Sequence, residues 1–111
     1  TAIDARMQEI YWGLFKRNDQ GIMQQITEEV VCSPTAISKL PEGNWFGAGT
    51  GWCTYNKELK SQFNLNLIGY FADVFPSAKD VITLAKSAYI EGNVIPVEVA
   101  LPVYLRNKVV N

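Results

Sequence analysis

The chain has 111 residues, a formal net charge of −1 and an isoelectric point near 5.3. This length suits one compact domain, and 48% of apolar residues is enough for an ordinary core. The weak charge argues against strong nucleic-acid binding by this chain alone, since such binding depends on neutralising phosphates. We also find no apolar run of transmembrane length and no signal peptide.

Hydrophobic alternation in the first third of the chain predicts three meandering strands. Thr1–Ala5 and the apolar run Ile10–Phe15 read as the first two strands. The run Asn18–Gly21 predicts a tight turn, because its residues tolerate left-handed dihedral angles. Alternation over Ile22–Cys32 predicts a third strand, half exposed at a sheet edge.

Helical and extended segments alternate in the middle of the chain. Ser33 followed by Pro34 predicts a short helix that Pro41 ends. Asn44–Ala48 then reads as a short buried strand. After the glycines that follow it, a helical stretch is expected to about Phe63, with a weak strand over Leu65–Ile68. Trp12, Trp45 and Phe46 are expected in the core.

The last third holds the strongest predicted helix. Ser77 with Asp80 resembles a capping box, and Gly92 ends the helical pattern. The apolar stripe of this helix is expected to cover a sheet that contains Ile3, Ile10, Trp12, Ile26 and Trp45; the stripe consists of Val81, Leu84, Ala85 and Ala88. The prolines of the tail Val94–Leu105 predict an extended, irregular segment.

The element order β-β-β-α-β-α-β-α predicts an α/β fold. It matches one lobe of the actin-like, or ribonuclease-H-like, architecture, with a mixed five-stranded sheet and helices. The first three strands would be antiparallel and the later ones parallel to the first, since crossover helices impose parallel pairing. A generic α+β sandwich is the alternative.

The composition of the chain offers few residues suited to catalysis. Histidine is absent, which excludes Ser-His and Cys-His catalysis, a histidine base and His-ligated zinc in this chain. Cys32 and Cys53 are too few for a disulfide framework and are expected to be reduced thiols in the cytoplasm. We predict no catalytic residue and no metal site.

Two clusters could nevertheless contact a ligand. Gly47–Gly51 joins a strand to a helix, so Gly49, Thr50 and Gly51 could bring backbone N–H groups to a nucleotide phosphate. Its spacing departs from G-x-G-x-x-G, and a tight structural turn is the alternative. Asp4, Arg6 and Glu9 surround the first hairpin, where they could hold a metal ion or form a structural ion pair.

Three sequence blocks resemble the second half of the TsaB (YeaZ) family. They are Ile3–Trp12, which reads IDARMQEIYW, then Gly47–Trp52, which reads GAGTGW, and Pro102–Asn107, which reads PVYLRN. The match runs in order across essentially the whole chain and is closest to gammaproteobacterial members. Residues 1–111 would then be the second lobe of a two-lobe protein whose first lobe precedes Thr1. The start without methionine, directly inside a strand, agrees with this expectation.

The resemblance implies a non-catalytic partner in tRNA threonylcarbamoyladenosine synthesis. Such a protein pairs with TsaD and, with TsaE, supports a threonylcarbamoyl transfer whose chemistry TsaD performs. It would form homodimers, meet tRNA only through the complex and have no contact with membranes. The resemblance implies no cofactor in this chain, and ATP binding only together with the missing lobe. Older usage calls the family glycoprotease-like, and some members are discussed as resuscitation factors.

Three other functions remain open from the sequence. They are an actin-like ATPase, a glycoprotease-like hydrolase and a free-standing interaction module. The tail segment Pro102–Arg106 could be a docking strap, or a strand or turn in which Tyr104 packs on the lobe and Arg106 pairs with a carboxylate.

Overall fold

The computed structural model describes residues 1–37, 40–63 and 66–106. It is a mixed α/β structure that divides into two compact units, Thr1–Phe75 and Pro76–Asn111. The strands are β1 Ala2–Asp4, β2 Ile10–Trp12, β3 Phe15–Arg17, β4 Met23–Gln25, β5 Val30–Cys32, β6 Trp45–Ala48 and β7 Leu67–Phe71. The helices are α1 Gly51–Thr54, α2 Asn56–Phe63 and α3 Ala78–Ile90, with a 3-10 turn at Val97–Val99. In these ranges, every helix is too short or too polar to cross a membrane.

The first sheet is antiparallel and has the order β1-β2-β5. Ala2 pairs with Trp12 in one ladder, and Ile10 pairs with Cys32 in the other. Ile10, Trp12 and Leu14, at alternate positions along β2 and just beyond it, are all buried. Apolar side chains at every second position therefore anchor this sheet on the core.

A two-stranded antiparallel ribbon, β3-β4, follows the first sheet's second strand. Its turn is the predicted one: the Asn18 side-chain oxygen accepts hydrogen bonds from the N–H groups of Gln20 and Ile22. Gly21 has φ +82° there, a conformation that glycine adopts without steric cost. The single strand predicted over Ile22–Cys32 is wrong, since β4 and β5 are separate strands of different sheets.

The third sheet is the parallel pair β6-β7, connected through α1 and α2. A crossover of this kind is what parallel pairing requires. The helical stretch predicted to Phe63 is confirmed but breaks at Tyr55, and β7 begins later than the strand expected at Leu65. Leu65 itself lies outside the described residues.

The expected five-stranded sheet is not seen; the strands form sheets of three, two and two in the described ranges. The free edge of β1 shows why β6 does not pair with it. There, the Asp4 N–H donates to Thr50 Oγ1 at 3.1 Å instead of to a strand carbonyl. Trp45 therefore lies in a different sheet from Ile10, and Ile26 lies in no strand.

The core of the first unit combines the first sheet with the crossover helices. Ile10 and Leu59 are fully buried, and Trp52 packs its ring 5.2 Å from that of Phe63. Trp12 is in the core as predicted, but Phe46 is 49% exposed and Trp45 is half-buried. Trp52 is buried in the core where Phe46 was expected, because the crossover places the Trp52 ring against Gly47 of β6.

The helices predicted after Ser33 and after Ser77 have different outcomes. Residues 33–37 form a turn instead of a helix, and residues 38 and 39 lie outside the described ranges. Helix α3 forms as predicted, with Ser77 Oγ accepting from the Asp80 N–H, but none of its residues is buried. Leu84 is 47% exposed, and the expected covering of a sheet by Val81, Leu84 and Ala88 stays a prediction because the sheets belong to the other unit. A unit as short as Pro76–Asn111 cannot enclose both faces of a helix by itself.

Candidate functional site

The glycine turn between β6 and α1 is shaped by contacts within the protein. Gly49 has φ +108° and donates its N–H to the Phe71 carbonyl at 2.9 Å. A Cβ atom on Gly49 would lie 2.5 Å from the Ala2 carbonyl oxygen, and one on Gly51 would lie 3.0 Å from it. Both glycines are therefore required for the close approach of this turn to β1.

The polar groups of the same turn also have internal partners. Trp52 N–H donates to the Gly49 carbonyl and Cys53 N–H to the Thr50 carbonyl. Thr50 Oγ1 accepts from the Asp4 N–H. These contacts account for Gly49, Thr50 and Gly51 as structural residues, and nucleotide binding by them stays a prediction.

Gly47 has a packing role of its own. A Cβ atom there would come within 3 Å of three ring atoms of Trp52. The glycine thus makes room for the fully buried indole ring. The spacing of Gly47, Gly49 and Gly51 is similar to that of a phosphate-binding loop. In this structure, Gly47 makes room for the indole ring of Trp52, and Gly49 and Gly51 make room for the backbone of β1.

The hairpin between β1 and β2 brings Asp4 together with Arg6 and the helix α1. Asp4 Oδ1 accepts from the Arg6 N–H at 2.8 Å, and its Oδ2 lies 3.9 Å from Arg6 Nη1. The Thr54 hydroxyl donates to Asp4 Oδ2 at 3.3 Å. No group of three His, Cys, Asp or Glu side chains able to hold a metal ion occurs within the ranges that the structure covers. The carboxylate therefore ties the hairpin to α1.

The tip of this hairpin has an unusual backbone that the sequence did not signal. Arg6, Met7 and Gln8 have φ values of 61°, 55° and 60°. The Ala5 N–H donates to the Glu9 carbonyl at 3.0 Å, which closes a left-handed turn. Residues other than glycine, asparagine and aspartate rarely adopt this conformation, and hardly ever in succession. The turn presents the Arg6 side chain, 89% exposed, to solvent.

Cys32 lacks the surroundings of an activated nucleophile. Burial and, to a lesser degree, the Glu9 carboxylate raise the pKa of the Cys32 thiol. Cys53 is exposed. A catalytic cysteine has its pKa lowered by a nearby cation or base, which is the opposite of the effect at Cys32.

The first unit also contains an open cavity of about 210 Å³ that we did not predict from the sequence. Aromatic side chains form most of its wall: Trp12, Phe15, Trp45, Phe46, Trp52 and Phe63. The burial of Trp52 had no signal in the sequence, because a tryptophan directly after a glycine turn belongs to no periodic apolar pattern. Only the packing of α1 and α2 under the strands brings these rings together.

The tail does not pack in the way the structural alternative required. Residues 100–104 belong to no helix or strand, and Tyr104 is 78% exposed. Packing of Tyr104 on the lobe is therefore wrong. Docking of Pro102–Arg106 on another protein stays a prediction.

Comparison with known proteins identifies relatives over nearly the whole chain. The tRNA threonylcarbamoyladenosine biosynthesis protein TsaB of Escherichia coli K12 is 36% identical over 112 residues, and that of Haemophilus influenzae is 39% identical over 118. Each alignment covers 98% of this chain and 48% of the relative. The chain thus spans about half the length of the curated relatives it matches. No protein-family model matches it.

Solved structures agree with the sequence relatives. A Pseudomonas aeruginosa protein described as similar to the peptidase YeaZ has a TM-score of 0.80 at 38% identity, covering 95% of this chain and 47% of that one. YeaZ from P. aeruginosa has a TM-score of 0.74 at 36% identity, covering 93% and 47%. The predicted resemblance to the TsaB (YeaZ) family is confirmed, and this mixed α/β fold is shared with YeaZ structures.

Proposed function

We propose that this chain acts in tRNA threonylcarbamoyladenosine synthesis as part of a TsaB-type protein. The observation that carries the proposal is the 36–39% identity to two TsaB proteins over 98% of the chain. The fold supports the same assignment as the sequence, because the TM-scores to two YeaZ-type structures are 0.80 and 0.74.

The chain forms, in this proposal, the second lobe of a two-lobe actin-like protein. Its coverage of about half of each relative supports the division into lobes. The exposed apolar residues of α3 support it as well, because a helix with Val81, Ile82 and Leu84 in solvent is a typical contact surface. The first lobe would cover that helix.

Its role in the complex is that of a non-catalytic scaffold in the cytoplasm. TsaD performs the transfer, TsaE assists it, a homodimer forms between scaffold copies, and tRNA is reached only through the complex. The absence of histidine and the raised pKa of Cys32 support a role without catalysis. The acidic balance of the chain supports an indirect contact with tRNA.

A peptidase is the second candidate, because one solved relative is described as similar to a peptidase. Peptide hydrolysis needs a nucleophile or a metal-bound water with a base in reach. The geometry around Cys32 and the Asp4–Arg6 pair supports neither arrangement. Purified chain should therefore hydrolyse no peptide and transfer no threonylcarbamoyl group without TsaD.

A chimera tests the proposed function. The half of E. coli TsaB that this chain matches is replaced by the chain, in cells without their own TsaB. Mass spectrometry of digested tRNA then measures threonylcarbamoyladenosine. We expect the chimera to restore the modified nucleoside, and a folded chimera that restores none would contradict the proposal.

Two variants of α3 test the contact surface in the same cells. Leu84→Ser should lower the modified nucleoside several-fold, because it removes an apolar side chain from the proposed lobe contact. Lys86→Ser changes an exposed charge on the same helix and serves as the matched control. Equal effects of the two variants would contradict a lobe contact through Leu84.

A further inference from the structure

A groove of the first unit adjoins the aromatic cavity and differs from it in charge. The groove has a volume of about 490 Å³, and the two share the part of their walls formed by Phe15, Met23, Trp45 and Phe46. Among the described residues, only uncharged side chains line the cavity, whereas the groove is also lined by Lys16, Arg17 and Glu42. An apolar cavity beside a groove with more cations than anions suits a ligand that has one apolar end and one anionic end.

The strand register places Arg17 on the same face of the β3–β4 ribbon as part of the shared wall. Arg17 pairs with Met23 across the ribbon, and Phe15 lies two residues earlier on the same strand. Because side chains alternate along a strand, these three share one face and Lys16 belongs to the other. Two residues of strand span about 7 Å, so a ring beside Phe15 needs only a short linker to bring an anion to Arg17.

The guanidinium group of Arg17 is held at one atom and keeps its other donors available. Its Nε donates to the Gly21 carbonyl at 3.2 Å, which fixes the side chain along the turn of the ribbon. In the part of the chain that the structure describes, its two Nη groups have no hydrogen-bond or ion-pair partner. The side chain is exposed, so these donors are within reach of a ligand. Arginine donors of this kind bind a carboxylate through two parallel hydrogen bonds.

Thr1 brings a second cationic group to the aromatic cavity, its α-amino group. This group already donates to the Gly13 carbonyl at 2.6 Å. Burial lowers its pKa to about 6, so most of it is uncharged above neutral pH. Arg17 is therefore the better partner for an anion.

We propose that the first unit binds a small monocarboxylate that carries an aromatic ring. The ring occupies the aromatic cavity, in contact with the surrounding aromatic side chains. An engineered apolar cavity of about 150 Å³ holds benzene, and the volume here is about 210 Å³. The carboxylate lies in the groove and accepts hydrogen bonds from Arg17. The proposal is independent of the tRNA pathway, since it depends only on the cavity, the groove and this arginine.

Three probes test the proposal on the full chain, which is labelled with ¹⁵N and followed by NMR slightly above neutral pH. Hydrocinnamate has a phenyl ring on a propanoate chain, hydrocinnamamide has the same shape without the charge, and propanoate lacks the ring. We expect hydrocinnamate to give saturable shifts at the amides of β3, β4 and β6, and propanoate to give none. Because an exposed ion pair contributes modestly, hydrocinnamate should bind about threefold or more tighter than hydrocinnamamide.

Variants separate the contribution of the charge from that of the cavity. Arg17→Gln should remove the preference for hydrocinnamate and leave the affinity for hydrocinnamamide unchanged, while Arg17→Lys should keep part of the preference. Arg6→Gln neutralises an exposed arginine of another hairpin and is the matched control, with all affinities unchanged. Ala48→Leu narrows the cavity and should weaken both ring compounds. Where Arg17→Gln fails to fold, Arg17→Lys and the three probes on the unmodified chain still decide the result.

Three results would overturn the proposal. The first is the absence of any saturable shift up to the solubility of hydrocinnamate. The second is equal affinity for hydrocinnamate and hydrocinnamamide, since the carboxylate would then contribute nothing. The third is a preference for hydrocinnamate that survives in Arg17→Gln, or that Arg6→Gln lowers just as much, because the anion would then lie away from Arg17.

Discussion

At the scale of single residues, substitution of two glycines with positive φ distinguishes the cost of backbone strain from the cost of steric crowding. Gly43 has φ +123° with no atom within 4 Å of an added Cβ, whereas Gly49 has φ +108° and the Ala2 carbonyl oxygen at 2.5 Å. Gly43→Ala should cost about 1–3 kcal/mol from backbone strain alone. Gly49→Ala should cost a further 1–3 kcal/mol or so, because β1 must move. Urea denaturation of both variants measures the difference, and equal losses would contradict the close approach.

Thiol reactivity is the second prediction at this scale. Because burial and the Glu9 carboxylate raise the pKa of Cys32 above its ordinary value of 9.0, its alkylation by iodoacetamide should be slower than that of exposed Cys53 and should rise at higher pH. The raised pKa also means that the contribution of this thiol to stability is present below pH 9 and is lost at higher pH. Mass spectrometry of quenched reactions measures both rates.

The carboxylate's part in this effect has its own control. Glu9→Gln should shift the pH profile of Cys32 alkylation to lower pH, since it removes a nearby negative charge that raises the pKa of the thiol. Glu42→Gln changes an exposed carboxylate that is no cause of the shift and should leave the profile in place. A profile that moves equally in both variants would contradict the assignment to Glu9.

At the scale of elements, the left-handed tip of the β1–β2 hairpin predicts a stabilising substitution. Gln8 has φ 60° and is exposed. Gln8→Gly removes about 1–2 kcal/mol of backbone strain and adds about 0.5–1 kcal/mol of entropy cost, so stability should rise by about 0.5–1 kcal/mol. Gln24→Gly in β4 is the control and should lower it, because that strand needs no left-handed residue. Urea denaturation tests both, and a loss with Gln8→Gly would refute strain at the tip.

The cap of α3 gives a second prediction at the element scale. Ser77 Oγ accepts from the Asp80 N–H at 3.3 Å and donates to the Asp80 carboxylate at 2.8 Å. Ser77→Ala should weaken the helix by about 0.5–2 kcal/mol, while Ser77→Asp retains an acceptor and should restore most of it. Hydrogen exchange of the α3 amides measures the effect, and equal exchange in the two variants would show that the cap contributes nothing.

At the scale of the whole molecule, this chain offers only one side of an actin-like nucleotide cleft, in the function proposed above. The N–H groups of Gly49, Trp52 and Cys53 already donate within the protein. Few donors are left to offset the desolvation of a triphosphate and the loss of association entropy. We therefore expect the chain to bind ATP no tighter than about 1 mM, or about −4 kcal/mol.

Calorimetric titration of the chain and of a two-lobe TsaB protein measures this affinity. TsaD titrated in the same way should also bind the chain weakly, because the first lobe carries the main contact in the proposed complex. Micromolar binding of ATP by the chain would place the site in these residues, and Thr50→Ala would then be the first variant to make. Micromolar binding of TsaD would point instead to the tail, with Arg106→Ala as the first variant.

The sequence by itself determined the features that depend on neighbours along the chain. The Asn18 turn, the Ser77 cap and the family resemblance were all correct, because side chains a few residues apart, or a recurrent motif, specify them. The helix predicted at Ser33 was wrong, because a short apolar run fits more than one structure.

Only the tertiary structure decided the division into three sheets, the exposure of α3 and the aromatic cavity. Each depends on residues far apart in sequence: Thr50 occupies the edge of β1, Trp52 packs against Gly47, and the cavity joins Trp12 to Phe63. Periodicity shows that a helix such as α3 has an apolar face, but it does not show which surface covers that face. Burial is a property of the assembled molecule, and a local pattern contains no information about the distant partner that provides it.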